Sequence, residues 1–236
     1  MGCKKLGLVG GMGPESTISY YHDIVYGVQK RVGKHVFPEL AIESVNVFKV
    51  LDLCRREEYR QLTDYLAGAV NNLALGGADF GALSANTPHI VFEQLKKRSP
   101  IPLVSIVEAV AAETRSLNIS KAGLLGTIFT MEGVFFKEPF KREGIDIAVP
   151  DEVERKLVNE KIAAELERGI VKAETRELFG RIIERMQEDE AIEAVILGCT
   201  ELPLLFNGTE LPLRCLDTME IHVRTIVDMI TADEVK

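Results

Sequence analysis

The segment Gly198-Cys199-Thr200-Glu201 sets a thiol, a hydroxyl and a carboxyl group side by side at the end of a short apolar run, Val195-Ile196-Leu197. A thiol so placed is a candidate proton carrier, because the thiolate is its reactive form. The N–H groups of a helix expected to start near Pro203 would lower its pKa. A second apolar run, Phe80 to Leu83, stops in the same way at Ser84-Ala85-Asn86-Thr87-Pro88-His89, with the methyl group of Ala85 where the other loop has sulfur. Asn86, Thr87, Thr127, Thr130 and Thr200 offer neutral donors of the kind that hold a carboxylate without a buried counter-charge. The Asn and Thr residues would serve equally as helix N-caps. Glu201 and Met12 complete the candidate substrate-binding residues.

Met12 lies in Gly10-Gly11-Met12-Gly13-Pro14-Glu15-Ser16-Thr17, which follows one expected strand and opens a helix. Its glycines suit either the close approach of an anion to free helix N–H groups or tight packing. The segment is not a GxGxxG fingerprint with a ribose-binding acid about twenty residues on, and it has no P-loop lysine, so a nucleotide is not expected. His89 and His222 fall singly on helical stretches and read as local hydrogen-bond partners.

These loops need elements to carry them. Short β-rich runs near Leu6–Val9, Leu40–Val45, Phe80–Leu83, Leu103–Ser105, Ala122–Leu125, Asp146–Ala148, Ala194–Leu197 and Leu213–Leu216 alternate with amphipathic stretches. Those stretches include Glu57–Leu75, Glu152–Arg168 and Thr175–Glu188, the last with Leu178, Ile182, Ile183 and Met186 on one face. Strands buried on both faces and separated by helices make a parallel sheet with right-handed crossovers. The order also repeats. Lys5, Gly7 and Gly10 match Lys121, Gly123 and Gly126 at a displacement of 116, Ala85 precedes Cys199 by 114, and IPLVSI resembles LPLRCL at 110. The reading is an α/β fold of two pseudo-symmetric domains, each a four-stranded parallel sheet flanked by helices. Ligands sit beyond the carboxyl ends of such strands, so the active site is expected in a cleft between the domains.

With 28 basic and 36 acidic residues the net charge is −8, which argues against nucleic acid or an anionic membrane surface as partner. No apolar run has the length of a membrane span, and the N-terminal residues do not read as a signal peptide, so a cytoplasmic protein is expected. Cys3, Cys54, Cys199 and Cys215 show no CxxC spacing and the 4 histidines are scattered, so neither zinc nor another metal is expected. Cys3, Cys54 and Cys215 read as small buried hydrophobes.

The motifs LVGGMGPEST, SANTPH, LLGTxxTM and LGCTELPLL, in this order over nearly the whole chain, resemble the aspartate/glutamate racemase family. The resemblance implies an amino-acid racemase that needs neither pyridoxal phosphate nor metal, built from two pseudo-symmetric domains and usually a homodimer. It implies domains of 1–102 plus 210–236 and of 103–209, the last strand and helix returning to the first. In that family a cysteine from each half faces the substrate Cα from opposite sides, one as thiolate base and the other as thiol acid. Cys199 matches the second of these. Ala85 stands at the first, a vestigial partner position, so a slow or one-sided enzyme is expected.

Members that take aspartate clamp its distal carboxylate with basic residues. Here Glu165 and Glu167 stand near the expected lysine with Arg168 beside them, and Lys49, Arg55 and Arg56 are possible substitutes. Aspartate or glutamate is the leading substrate. Two alternatives fit the same residues: a single-cysteine decarboxylase of the same superfamily, and a non-catalytic amino-acid-binding protein.

Overall fold

The computed structural model describes residues 3–33, 35–206 and 211–232. The chain divides into two compact units, Met1–Ala109 with Met219–Lys236, and Val110–Thr218. The first unit carries strands β1 (Leu6–Gly10), β2 (Leu40–Ser44), β3 (Phe80–Leu83) and β4 (Leu103–Val104), all parallel, in the order β2-β1-β3-β4. Its helices are α1 (Pro14–Val32), α2 (Val47–Arg55), α3 (Tyr59–Leu75), α4 (Phe92–Arg98), the first turn of α5 (Ile106–Ser116) and, from the far end of the chain, α11 (Thr218–Thr231).

The second unit repeats this topology. Strands β5 (Lys121–Leu125), β6 (Asp146–Ala148), β7 (Ala194–Leu197) and β8 (Arg214–Asp217) pair in parallel in the order β6-β5-β7-β8. Helices α6 (Ile128–Glu132), α7 (Val134–Arg142), α8 (Glu152–Ala164), α9 (Ala173–Glu190) and α10 (Leu202–Phe206) accompany them. The register repeats with the topology: Val9 lies beside Leu83, and Leu125 beside Leu197. The Ala85 and Cys199 loops therefore leave equivalent strands of two copies of one unit.

The unit boundaries differ from those expected from the resemblance. Leu103–Val104 pairs with β3 in the first sheet, and Arg214–Asp217 with β7 in the second, so α11 alone returns to the first unit. The expected 209/210 boundary lies outside the described residues. The reason is the repeat itself: IPLVSI and LPLRCL each supply the last strand of their own copy.

Buried aliphatic runs position these loops. In the first unit Leu6, Leu8, Phe80, Ala82 and Val104 from the sheet pack with Tyr20, Ile24 and Val28 of α1 and with Ile226 and Ile230 of α11. Buried on both faces, such strands need no alternation of polar residues. In the second unit Leu124 and Val195 are buried with Phe136, Phe140, Phe179, Ile183 and Met186. α8 starts from a reciprocal cap, Asp151 accepting from the Glu154 N–H at 2.9 Å and Glu154 from the Asp151 N–H at 3.2 Å. It stops at Ala164, short of the expected Arg168. There Glu165 leaves helical geometry and turns its carboxylate inward, to Lys161 at 2.8 Å, Lys172 at 3.1 Å and Thr175 at 2.5 Å.

Two buried histidines tie the first unit together. His222 Nδ1 pairs with the Tyr20 hydroxyl at 2.9 Å, joining α11 to α1. His89 Nδ1 donates to the Ala85 carbonyl at 2.9 Å, its Nε2 accepts from the Ile106 N–H at 3.3 Å, and its ring stacks on Phe92. Both act as the local partners expected of them. Burial holds His89 down to about 4 and His222 to about 3, from an ordinary 6.5.

Both folded values lie below the unfolded one, so at mildly acidic pH the unfolded chain binds protons that the folded chain excludes. Stability from these groups is complete above pH ~6.5 and is lost as pH falls towards ~4. Both histidines therefore favour the folded state at neutral pH over mildly acidic pH. Urea unfolding at a series of pH values should therefore show the midpoint dropping steeply below pH ~6, and a flat profile between pH ~7 and ~5 would contradict this.

Candidate functional site

In the second unit the loops after β5 and β7 meet. Gly198 leads out of β7 with its N–H donating to the Leu125 carbonyl at 2.7 Å. A Cβ at Gly198 would lie 2.8 Å from Leu124 Cδ1, 2.9 Å from the Leu125 carbonyl and 3.1 Å from Thr130 Cγ2. Only glycine lets the two loops approach so closely. Gly198→Ala is expected to displace the Cys199 loop and to cost roughly 1–3 kcal/mol, read as a lower urea midpoint. An unchanged midpoint would show that the loop has slack.

That approach gathers Thr127, Thr130, Cys199, Thr200 and Glu201. Thr127 caps α6, accepting from the Thr130 N–H, and its hydroxyl lies 3.2 Å from the Thr130 hydroxyl, which is fully buried. The capping alternative thus holds for Thr127. The Cys199 thiol donates to Glu201 Oε2 at 2.9 Å, and the Thr200 hydroxyl donates to the same oxygen at 2.9 Å.

The expected depressed thiol pKa is not what the structure gives. Cys199 is only 8% exposed, and its pKa stands well above the ordinary value, first through burial and then through the negative charge of Glu201 beside it. The helix that was to favour thiolate, α10, is a single short turn of five residues, and a carboxylate oxygen is the polar group against the sulfur. The resting group is a protonated thiol paired with a carboxylate. Glu201, expected as a substrate ligand, is a partner of Cys199. The sequence signal for this was present in the two-residue spacing of Cys199 and Glu201, but spacing alone does not say which way a carboxylate turns.

In the first unit the equivalent loop holds Ala85, 9% exposed, and the buried Asn86, with Thr87 half-buried in a 3-10 turn, Thr87–Val91. Asn86 does not cap that turn with its side chain. The neighbouring hydroxyl of Ser84 is buried, with no hydrogen-bond partner among the described residues. Ser84 follows the last residue of β3.

The glycine loop is held by its own contacts. Thr17 Oγ1 accepts from the Gly11 N–H at 2.9 Å and donates to the Gly13 carbonyl at 2.8 Å, while Gly11 has φ +81° beneath the Val45 carbonyl. Tight packing thus accounts for Gly11, and Met12 is buried in the same loop. Among the described residues no group of three His, Cys, Asp or Glu could hold a metal ion, and no helix is long and apolar enough to cross a membrane.

Two repeated parallel α/β units, with a thiol at the carboxyl end of a central strand, define a class of protein, and comparison with known proteins gives the family. Residues 9–226 match the Asp/Glu/hydantoin racemase family. The chain belongs to that family and is an isomerase of the amino-acid racemase kind. It is 24% identical to the broad specificity amino-acid racemase RacX of Bacillus subtilis (strain 168), over 94% of this chain and 96% of that protein. An aspartate racemase homologue from Pyrococcus horikoshii OT3 superposes with a TM-score of 0.85 at 36% identity, covering 97% of this chain and 99% of that one. The glutamate racemase of Francisella tularensis subsp. tularensis SCHU S4, solved with D-glutamate, has the same fold, with a TM-score of 0.70 at 12% identity over 98% and 82% of the two chains.

Proposed function

We propose that the chain is a cofactor-independent amino-acid racemase in which Cys199 moves the proton at the substrate Cα, with Glu201 as its immediate proton acceptor. The observation that carries this is the 2.9 Å contact from the buried Cys199 thiol to the half-buried Glu201 carboxylate, at a strand end. A thiol must lose its own proton before it can take another. Here that proton passes to Glu201, leaving a thiolate that accepts a hydrogen bond from the new carboxylic acid, with the charge of the pair unchanged. The thiolate then removes the Cα proton and becomes a thiol again. Thr127, in the loop after β5, is the neutral donor we assign to the α-carboxylate while charge spreads onto it.

Glu201→Gln separates this role from mere repulsion. Glutamine removes the negative charge, so Cys199 should ionise more easily and react faster with iodoacetamide. It cannot take the thiol proton, so Cα exchange should fall by roughly 10²-fold. Exchange that survives alongside faster alkylation would show Glu201 to be only an unfavourable neighbour.

The carbanion is planar, so inversion requires a proton from the other side. The family resemblance assigns that proton to the sister position, where this chain has Ala85. We therefore read the enzyme as one-sided: Cys199 removes and returns a proton on its own face, and inversion waits on a poor donor such as water. We also read it as a cytoplasmic homodimer. On α1 Ile18, Tyr21 and Tyr26 are exposed, with Phe37 packed edge-on against Tyr26 and the His22 ring 4.6 Å from it, and these side chains offer the apolar area such a contact would bury. Sedimentation of the purified chain tests this, and a monomer at ~100 μM would exclude it.

A further inference from the structure

We infer that Asn159, on α8, is a positioning residue for this reaction, fixing the loop that carries Thr127. This rests on the reading of Thr127 as the donor to the substrate α-carboxylate. The half-buried Asn159 accepts through Oδ1 from the Ile128 N–H at 2.9 Å. Ile128 follows Thr127 directly and is the first residue of α6. The contact joins stretches 31 residues apart in sequence, both within the second unit.

The loop needs such a hold. α6 has five residues, too few to keep its own shape, because a first helical turn fixes several backbone angles for a single hydrogen bond. Its leading N–H groups have no carbonyl within the helix to meet them. Thr127 Oγ1 accepts from that of Thr130 at 3.4 Å, and the N–H of Ile128 is met from α8 by Asn159. One turn earlier on the same face of α8, Arg155 Nε donates to Glu132, the last residue of α6, at 3.1 Å. α8 thus grips α6 at both ends. α8 is itself anchored: Arg155 donates to the Pro150 carbonyl at 2.8 Å, and Glu154 accepts from Arg185 of α9 at 2.9 Å. Close packing brings the same loop against the Cys199 loop, where a Cβ at Gly126 would stand 3.1 Å from the Gly198 carbonyl. Packing sets how near the two loops lie, and the hydrogen bond from Ile128, being directional, sets how the Thr127 residue beside it is turned.

The test is a double-mutant cycle on the full-length enzyme, with kcat/KM for α-proton loss in D2O followed by NMR. The probe is whichever common amino acid, L or D, the wild type exchanges fastest. Thr127→Val and Asn159→Ala should each lower kcat/KM by roughly tenfold, and the double variant should be no slower than Thr127→Val alone, because Asn159 acts through Thr127. Losses that multiply to about a hundredfold show Asn159 acting by itself and overturn the inference, as does a wild-type rate in Asn159→Ala. Arg155→Gln separates positioning from loosening. It frees the far end of α6, so it should lower the urea midpoint yet keep exchange within about threefold, and a tenfold loss there would show that exchange follows the stability of α6 rather than the setting of Thr127. A wild-type rate in Thr127→Val removes Thr127 from the carboxylate, and this inference with it, and leaves the role of Cys199 standing. Exchange of no amino acid by the wild type overturns the reading of Cys199 as well.

Discussion

Replacing Cys199 with alanine is expected to lower Cα exchange by about 10³- to 10⁴-fold, to the background of the buffer. Sulfur is the atom assigned to take the Cα proton, with Glu201 taking only the proton of the thiol itself. Its neighbours are poor substitutes: Thr127, Thr130 and Thr200 are hydroxyls, far weaker acids and bases, and Glu201 reaches the substrate proton only through the sulfur in this scheme. The variant should fold normally, because the sister loop already carries Ala85 at the equivalent, buried position. An unchanged urea midpoint with exchange abolished would assign the loss to chemistry. Exchange persisting within a few-fold of the wild type would mean that another group removes the proton.

Restoring the missing thiol should act in the opposite direction. Ala85→Cys is expected to raise the rate of inversion by roughly 10²-fold, with a smaller effect on exchange of the enantiomer that Cys199 already serves. The backbone is prepared for the change. His89 holds the Ala85 carbonyl at 2.9 Å and is itself anchored by the Ile106 N–H, so one added sulfur need not move the loop. Chiral chromatography of the reaction from each enantiomer measures inversion directly. If inversion is already fast in the wild type and the variant does not change it, a group other than a residue-85 thiol supplies the second proton.

Much of this architecture was legible in the sequence because it depends on short-range pattern. Apolar runs such as Phe80 to Leu83 and Ala194 to Leu197 can be little else than buried strands, and both occur where expected. The internal repeat was legible for the same reason: glycines at Gly7 and Gly123 answer equivalent packing needs, each meeting a side chain within 3 Å of where a Cβ would stand. What pattern could not supply was tertiary pairing. α8 breaks at Glu165 because Lys172 and Thr175, beyond the helix, complete the shell of its carboxylate, and periodicity contains no trace of that contact. The thiol pKa was misjudged likewise. A short helix after Cys199 suggested stabilising N–H groups, whereas burial and the rotamer of Glu201 set the outcome. The partner of β8 was settled by the repeat rather than by the end of the chain to which it lies nearer.

The central claim is that one sulfur serves one face of a stereocentre, and α-proton loss in D2O, measured separately for the two enantiomers of the best substrate, tests it most directly. The account predicts that one enantiomer exchanges at least roughly tenfold faster than the other, that it keeps its configuration through many exchanges, and that Cys199→Ala stops it. Equal and rapid exchange of both enantiomers in the wild-type enzyme would contradict it.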